Sequence, residues 1–535
     1  MITDFGTRCR EVYAPADEVL QAGGGSDPLA TDRPVKGGGA DGFDRSRAQL
    51  EQIVEQLTSV EADGFEHGEL EVLIEREGRA VLRQLFQDRL DLRALRERRL
   101  EVVVDAREVG RPAVERDHRR QLSSVFGEVR VDRLAYRARG QENLYVADGV
   151  LNLPAEHASH GVRRLAARAA AGGSFEDATG LVRERTGLDL GKRQVEELAV
   201  RAAVDFDAFY AERVSDAEER ERGEQKDVLV LSCDGKGIVM RSEALREQTA
   251  KAAQRASPKL KTRLSRGEKA NRKRIAEVGA VYELEPAPRT PADVLAPTKD
   301  KTLKPPKAKH KWLTASVLED AATVVADIFE EAERRDGKHQ RAWVALVDGN
   351  NHQIDRIRKE ARRRKVKVTI VVDLIHVMEY LWSACWCFFE EGDPAAERWV
   401  HAKALAVLEG KAGIVAASIR RKATKLALPD DKRKNADRAA DYLLNKAPYL
   451  DYPTALSNGW PIATGVIEGA CRHLVKDRMD ITGARWGLDG AEAILKLRAL
   501  ITNGDFDDYW QYHLTHERHR NHDLRYANGV IPRQA

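Results

Sequence analysis

Apolar residues in the middle of the chain gather into five short continuous runs, at 228–233, 276–284, 311–317, 342–347 and 367–372. Runs of this length, rich in Val, Ile and Leu, predict strands buried on both faces. Helical spacing fills about 319–335 and 351–364 between the later runs. The order is three strands, then helix, strand, helix, strand, which predicts an α/β core with a mixed sheet. Three of the runs stop on an acid: Asp234 in "VLVLSCDGKGI", Asp348 in "AWVALVDGNNHQ" and Asp373 in "VTIVVDLIHVMEYLW". In open α/β sheets, functional groups sit beyond the carboxyl ends of the strands. An Asp that merely starts a turn explains one such position, and three in one domain weaken that explanation.

The flanking patterns differ. Residues 1–45 contain "QAGGGSDPLA" and "VKGGGADGFD", too glycine-rich to bury a face, and are expected to be a disordered leader. Residues 46–100 carry apolar positions at helical spacing and read as amphipathic helices, a pair that could dimerise. A β-rich segment at 101–160 includes "VFGEVRVDRLAYRARG", whose alternation of β-branched and charged residues suits an exposed hairpin. Within 161–226, "SFEDATGLVRERTGLDLGKRQVEELAVRAA" predicts two short helices around Thr186-Gly187-Leu188. The Lys192-Arg193-Gln194 opening of the second helix fits a helix-turn-helix that offers those side chains to base edges; an ordinary helical hairpin with a charged face is the alternative. The core is assigned to 227–375, with a basic insertion at about 241–275, and an all-helical insertion to 376–455. Its aromatic cluster, Tyr380, Trp382, Trp386, Phe388 and Phe389, reads as helical core rather than as a base-stacking platform. Residues 456–503 return to the core, and 504–535 form a basic helical tail. The tail histidines His513, His516, His519 and His522 lie one helical turn apart, which suits an exposed helix better than a metal site.

Net charge narrows the partners. The 535-residue chain has a formal charge of only +3, so basic character must be local. It concentrates in "KAAQRASPKLKTRLSRGEKANRKR", from Lys251, and "TKDKTLKPPKAKHK", from Thr298, which flank the same predicted sheet and favour a polyanion. No apolar run is long enough to span a membrane and no signal-peptide pattern opens the chain, so a soluble cytoplasmic protein is expected. The five cysteines form no C-x-x-C pair, as expected of reduced thiols.

A fourth acid completes the candidate chemistry. In "NGWPIATGVIEGACRHLVKDRMDITGARW", from Asn458, a helix places Ile467, Cys471, Leu474 and Val475 on one face and Glu468, Arg472 and Lys476 at i, i+4 and i+8 on another. A capping box from Thr464 would need its acid at position 467, where Ile stands. An ion pair of Glu468 with Arg472 remains open. Carboxylates converging at a rim repel one another unless a cation lies between them. Mg²⁺ or Mn²⁺ takes a few carboxylates and completes its shell with water and phosphate oxygens, and two such ions can activate a nucleophile and stabilise the leaving oxygen of a phosphodiester.

"SCDGKGIVMRSEALRE", "WVALVDGNNHQIDRI", "VVDLIHVMEYLW" and "GWPIATGVIEGACRHLVKDRMDITGARW", in this order, resemble a bacterial insertion-sequence transposase of the DDE type, in particular the Kra group related to Mutator-like elements. The resemblance covers roughly residues 118–525. It implies a ribonuclease-H-like catalytic core with an all-α insertion, preceded by helical, β-hairpin and helix-turn-helix segments. Asp234, Asp348 and Glu468 are the implied catalytic and metal-binding residues, for Mg²⁺ or Mn²⁺. Asp373 and His376 match an accessory (C/D)-x-x-H motif, although Asp373 competes with Asp348 for the metal on rim geometry. Lys192, Arg193, Gln194, Lys236, Arg472, Lys476, Arg485 and Trp486 are the expected DNA contacts. The implied activity is binding of the element's terminal inverted repeats, cleavage and joining of 3′-ends to target DNA, by a homodimer or higher oligomer in the bacterial cytoplasm at the nucleoid. A metal-dependent nuclease or junction resolvase of the same fold, or a non-catalytic helix-turn-helix regulator, are the alternatives.

Overall fold

The computed structural model describes residues 41–213, 227–255, 265–296, 306–481 and 483–532. Most of the expected leader and the centres of both basic runs, at 256–264 and 297–305, lie outside the described residues. The chain divides into two compact units, Met1–Arg96 and Glu97–Ala535. In the first, helices Asp44–Leu57 and His67–Arg96 are joined through the buried Asp88 carboxylate, which accepts from the Ser46 N–H (3.1 Å) and from Gln84 Nε2 (2.7 Å).

The second unit opens with the short antiparallel pair β1 (Val103–Val104) and β2 (Gly110–Arg111), followed by the hairpin of β3 (Ala113–Ser124) and β4 (Gly127–Arg137). This hairpin is not simply exposed, as its alternation suggests. Leu134 and Tyr136 are buried with Val103, Leu144 and Val146 in a small second core, which the C-terminal residues Tyr526 and Ile531 close. The covering partner comes from nearly 400 residues away, so no local pattern announces it.

Five further strands form a mixed sheet in the order β7-β6-β5-β8-β9. β5 (Val228–Val239), β6 (Lys273–Leu284) and β7 (Lys309–Ser316) run antiparallel as a meander, whereas β5, β8 (Trp343–Val347) and β9 (Val368–Val372) are parallel. Helices Ala321–Arg335 and Asn351–Arg364 precede the two later strands and start on capping side chains. Asp320 accepts from the N–H groups of Ala322 and Thr323, both at 2.9 Å, and Asn350 accepts from the N–H of His352, also at 2.9 Å.

One strand departs from the predicted pattern. β5 does not end at Asp234 but continues to Val239, with Asp234 opposite Val278 of β6. What ends earlier is its parallel pairing with β8, whose last partners are Ser232 and Leu346. Asp234 therefore lies past the end of the parallel ladder, on a strand whose antiparallel pairing with β6 continues unbroken to Val239.

Residues 374–446 contain helices Leu374–Cys385, Pro394–Leu408, Ala412–Lys425 and Asp430–Lys446. The aromatic cluster divides between them. Phe388 and Phe389 pack against Trp399 around the Lys422 ammonium, while Tyr380 stacks on Tyr442 at 3.8 Å between ring centres.

The tail is a buried element rather than an exposed one. Helix Phe506–Asn521 buries Phe506, Tyr509, Trp510, His513 and Glu517. The histidines diverge instead of forming a metal site: His513 bonds Asp205 (2.6 Å), His522 bonds the Leu153 carbonyl (2.7 Å), His516 stacks on Tyr512 and His519 lies beside Asp523. Among the described residues, no helix is long and apolar enough to cross a membrane.

Candidate catalytic centre at the strand ends

Parallel pairing of β5, β8 and β9 ends at one edge of the sheet, and just beyond that ladder stand Asp234, Asp348 and Asp373. Each carboxylate is held by backbone. Asp234 Oδ1 accepts from the Gly235 N–H, Asp348 Oδ1 from the Asn350 N–H and Asp373 Oδ1 from the Ile375 N–H, all at 2.7 Å. The last bond makes Asp373 the N-cap of helix Leu374–Cys385, so this acid is fixed both by its strand and by the helix that follows.

Glu468 arrives from helix Gly465–Ala470. Thr464, which heads that helix, makes no capping bond. Its hydroxyl instead donates to Asp373 Oδ2 and lies 3.5 Å from Glu468 Oε1, so it sits between the two carboxylates. Sequence reasoning weighed Thr464 only as a cap and missed this role, because the partner acid is 91 residues distant. One turn beyond Glu468, the Cys471 thiol donates to Asp234 Oδ2 (3.3 Å). Burial, then the Asp234 charge, pushes that thiol far above its ordinary range, so it stays a donor. Cys233, on the other side of Asp234, is pushed up to about 12, first by burial and then by the charges of Glu277, Asp234 and Asp348.

Asp373, His376 and Glu468 present ligand atoms that all lie within 4.8 Å of one another. Asp234 and Asp348 are outside this tight group, although Asp234 is tied to the Glu468 helix through Cys471. Asp348 instead lines a cleft of about 440 Å³ that His376 also lines. The cleft's other wall comes from the helical insertion, and the Tyr442 hydroxyl donates to the Asp348 carbonyl (3.0 Å). Gly349 makes this approach possible: its φ is +93°, and a Cβ there would lie 2.8 Å from the Tyr442 oxygen.

These groups suit a hard divalent cation. Two or three carboxylates with one imidazole match Mg²⁺ or Mn²⁺ more closely than a thiolate-seeking ion, and the nearby thiols of Cys233 and Cys471 are held protonated. Among the described residues, no lysine or arginine forms an ion pair with Asp234, Asp348, Asp373 or Glu468.

The expected i, i+4, i+8 stripe after Glu468 is altered. Residues Cys471–Lys476 form a π-helix, whose wider turn takes Arg472 and Lys476 out of a straight line with Glu468. Arg472 is exposed and faces Asp477 (3.6 Å), not Glu468, and Lys476 is exposed. Lys236 stands two residues along β5 from Asp234, on the same face and exposed, and Arg485 is also exposed. Trp486 needs correction as a DNA contact. It is buried, its indole N–H donates to the Met479 carbonyl (2.9 Å), its backbone pairs with the end of β5, and its ring packs against Arg478 and Phe175. A Trp three residues after Gly483 and next to Arg485 looks available, but here it anchors the helical hairpin to the core.

That hairpin has helices Phe175–Thr186 and Lys192–Ala202, with Gly187 at φ +73° ending the first. Ser174 and Asp177 form a reciprocal capping box. The three side chains expected to read bases are exposed but locally engaged: Lys192 with Glu176 (2.6 Å), Arg193 with Glu197 (3.0 Å), and Gln194, whose Oε1 accepts from the Gly191 N–H (2.8 Å).

No known family model and no curated protein matches the chain.

Proposed function

We propose that the chain is a DNA transposase of the DDE type with a ribonuclease-H-like core. The observation that carries this reading is that four separate elements bring Asp234, Asp348, Asp373 and Glu468 to one edge of the sheet, Asp373 and Glu468 together with His376, and that among the described residues none of the four forms an ion pair with a lysine or arginine. The meander of β5, β6 and β7 followed by parallel β8 and β9 makes the first and fourth strands neighbours, as a catalytic pair of Asp234 and Asp348 requires.

Asp234, Asp348 and Glu468 would hold Mg²⁺ or Mn²⁺, with Asp373 and His376 as further donors on the Glu468 side. The ions supply a polarised nucleophile and charge stabilisation at the leaving oxygen of a phosphodiester. The protein's own contribution is positioning. Backbone N–H groups fix each Asp, Thr464 sets the spacing of Asp373 and Glu468, and the Cys471 thiol orients Asp234. Lys236, Arg472, Lys476 and Arg485 would hold DNA phosphates, and the helical hairpin would bind the element's ends. Holding two ends at once calls for at least two copies of the chain.

The test incubates the purified protein with DNA carrying the ends of its own element and a target plasmid, in Mg²⁺ or Mn²⁺. Cleavage at the ends and joining to the plasmid are expected, both abolished by EDTA and by Glu468→Gln. Cleavage without joining would make the protein a nuclease of the same fold. Absence of any metal-dependent cleavage would overturn the reading.

A further inference from the structure

The Glu468 helix runs into the wider π-helix Cys471–Lys476, and the side chain that grips this turn lies outside the acidic rim. The Asp477 N–H reaches the Arg472 carbonyl, five residues back, where an α-turn would reach four. Arg498, on helix Leu488–Asn503, bonds the same turn: its Nε donates to the Leu474 carbonyl (3.1 Å) and its Nη2 to the His473 carbonyl. Its Nη1 donates to the Ala171 carbonyl near the end of helix His160–Gly172. Just past the turn, Arg478 donates to the neighbouring Ala170 carbonyl (2.8 Å) and packs against the rings of Phe175 and Trp486.

Both guanidiniums are buried, and neither forms an ion pair among the described residues. A cation taken out of water without an acid is costly. Packing alone therefore does not account for Arg498, whereas its carbonyl bonds do. An α-helix advances about 100° per residue, so closing the π-turn to an α-turn would rotate the segment before it by roughly that angle against the segment after it. The later segment is anchored through Arg478. The earlier one, Gly465–Ala470 with Glu468, has side-chain bonds on either flank only from Thr464 to Asp373 and from Cys471 to Asp234, among the described residues. Both of those bonds end on rim acids, so neither sets the register of the helix independently of the rim.

Resting on the metal-site reading above, we infer that Arg498 is a positioning residue. By holding the carbonyls of the π-turn it keeps Glu468 turned toward Asp373 and His376, and Cys471 toward Asp234.

Two full-length variants test this. Arg498→Met keeps an unbranched side chain and removes its donors. Arg498→Lys keeps the charge, but its compact ammonium cannot span three carbonyls as the planar fork does, and it carries the test should the methionine variant not fold. In metal-free protein, alkylation by N-ethylmaleimide mapped by peptide mass should find Cys471 protected in the wild type and reactive in the variants. Cys233, also buried beside Asp234, should stay protected throughout, which separates a turned helix from general unfolding. By calorimetry, Glu468→Gln and each Arg498 variant should weaken Mn²⁺ binding by about tenfold or more, and the double variants should lose little beyond the single ones. Cys471 protected in both variants, Cys471 reactive only together with Cys233, or additive losses of Mn²⁺ affinity would each overturn the inference and leave the metal reading in place. Wild-type protein that binds no Mn²⁺, or binds it as well after Glu468→Gln, would overturn the metal reading itself, and the thiol result would still decide whether Arg498 holds the turn.

Discussion

Two groups of buried or half-buried charges in this protein answer opposite demands. Around the tail helix, the buried acids Asp205, Asp505 and Glu517 each have a cation. Arg163, fully buried, bonds both Glu517 oxygens at 2.7 and 2.6 Å and lies 2.9 Å from Glu156, while Asp205 bonds His513 at 2.6 Å and Arg520 at 2.5 and 2.9 Å. At the strand ends, among the described residues, Asp234, Asp348, Asp373 and Glu468 hydrogen-bond only to backbone N–H groups, a hydroxyl and a thiol. A buried charge that the chain neutralises itself is part of the fold. Acids gathered at one edge with no such partner are instead what the proposed metal site would need.

The largest effect expected from this contrast is on activity. Asp234→Asn and Glu468→Gln keep side-chain size but remove negative charge from the rim, so metal-dependent cleavage should fall at least about a thousandfold, the scale set by groups needed in the transition state. Thermal stability without metal should hold or rise, because repulsion between acids is relieved. Mn²⁺ at about 100 times its dissociation constant should stabilise the wild type by about 2.7 kcal/mol and these variants much less. A variant that loses stability without metal as steeply as it loses activity would place the rim acids in the structural class.

In the tail network the same kind of change should act on folding. Arg163→Ala leaves Glu517 buried without its main partner and should cost about 3–5 kcal/mol in denaturant unfolding. The Asp205 carboxyl gives a smaller effect with a defined pH window. Burial alone would raise it, but hydrogen bonds from His513 and Arg520 outweigh burial and hold it at about 2. An acid depressed in the folded state stabilises fully above its unfolded value, near 3.9, and loses that contribution as pH falls toward about 2. The stability difference between wild type and Asp205→Asn should therefore shrink by about 2 kcal/mol between pH 5 and pH 2. A difference that stays constant over that range would mean that His513 and Arg520 do not hold the Asp205 carboxyl below its unfolded value in the folded protein.

The contrast also separates what could be read along the chain from what could not. Apolar runs announced the sheet strands, and an acid after each of three runs marked the edge where they meet, because both are local consequences of strand burial. The tail histidines and Trp486 misled for the converse reason. Their one-turn spacing and basic surroundings are local, but what buries them, Asp205, Leu153 and Phe175, lies hundreds of residues away. The partners of Thr464 and Cys471 were hidden likewise: read along the chain they are a possible cap and a member of an apolar face, until the fold sets them beside Asp373 and Asp234. The π-turn after Glu468 was equally hidden, since a single widened turn leaves hydrophobic spacing almost unchanged.

The smallest structural effects belong to the helical hairpin, and their smallness is what makes them informative. Lys192 and Arg193 each hold an exposed ion pair, with Glu176 and Glu197, and pairs of this kind contribute about 0.5 kcal/mol or less. Lys192→Ala and Arg193→Ala should therefore leave thermal unfolding nearly unchanged, and Gln194→Ala should remove one bond to the Gly191 N–H at a similar cost. Any loss of DNA affinity in these variants then reports contact rather than folding. If the helix Lys192–Ala202 lies in the major groove, each substitution should weaken binding to the element's own ends more than to random DNA, because base-edge contacts carry sequence information. Equal losses on both would assign the residues to phosphates, with a shallower salt dependence as the second sign. Unchanged binding on both would show that Glu176, Glu197 and Gly191 are the true partners, and that the hairpin, like the tail, keeps its charges for itself.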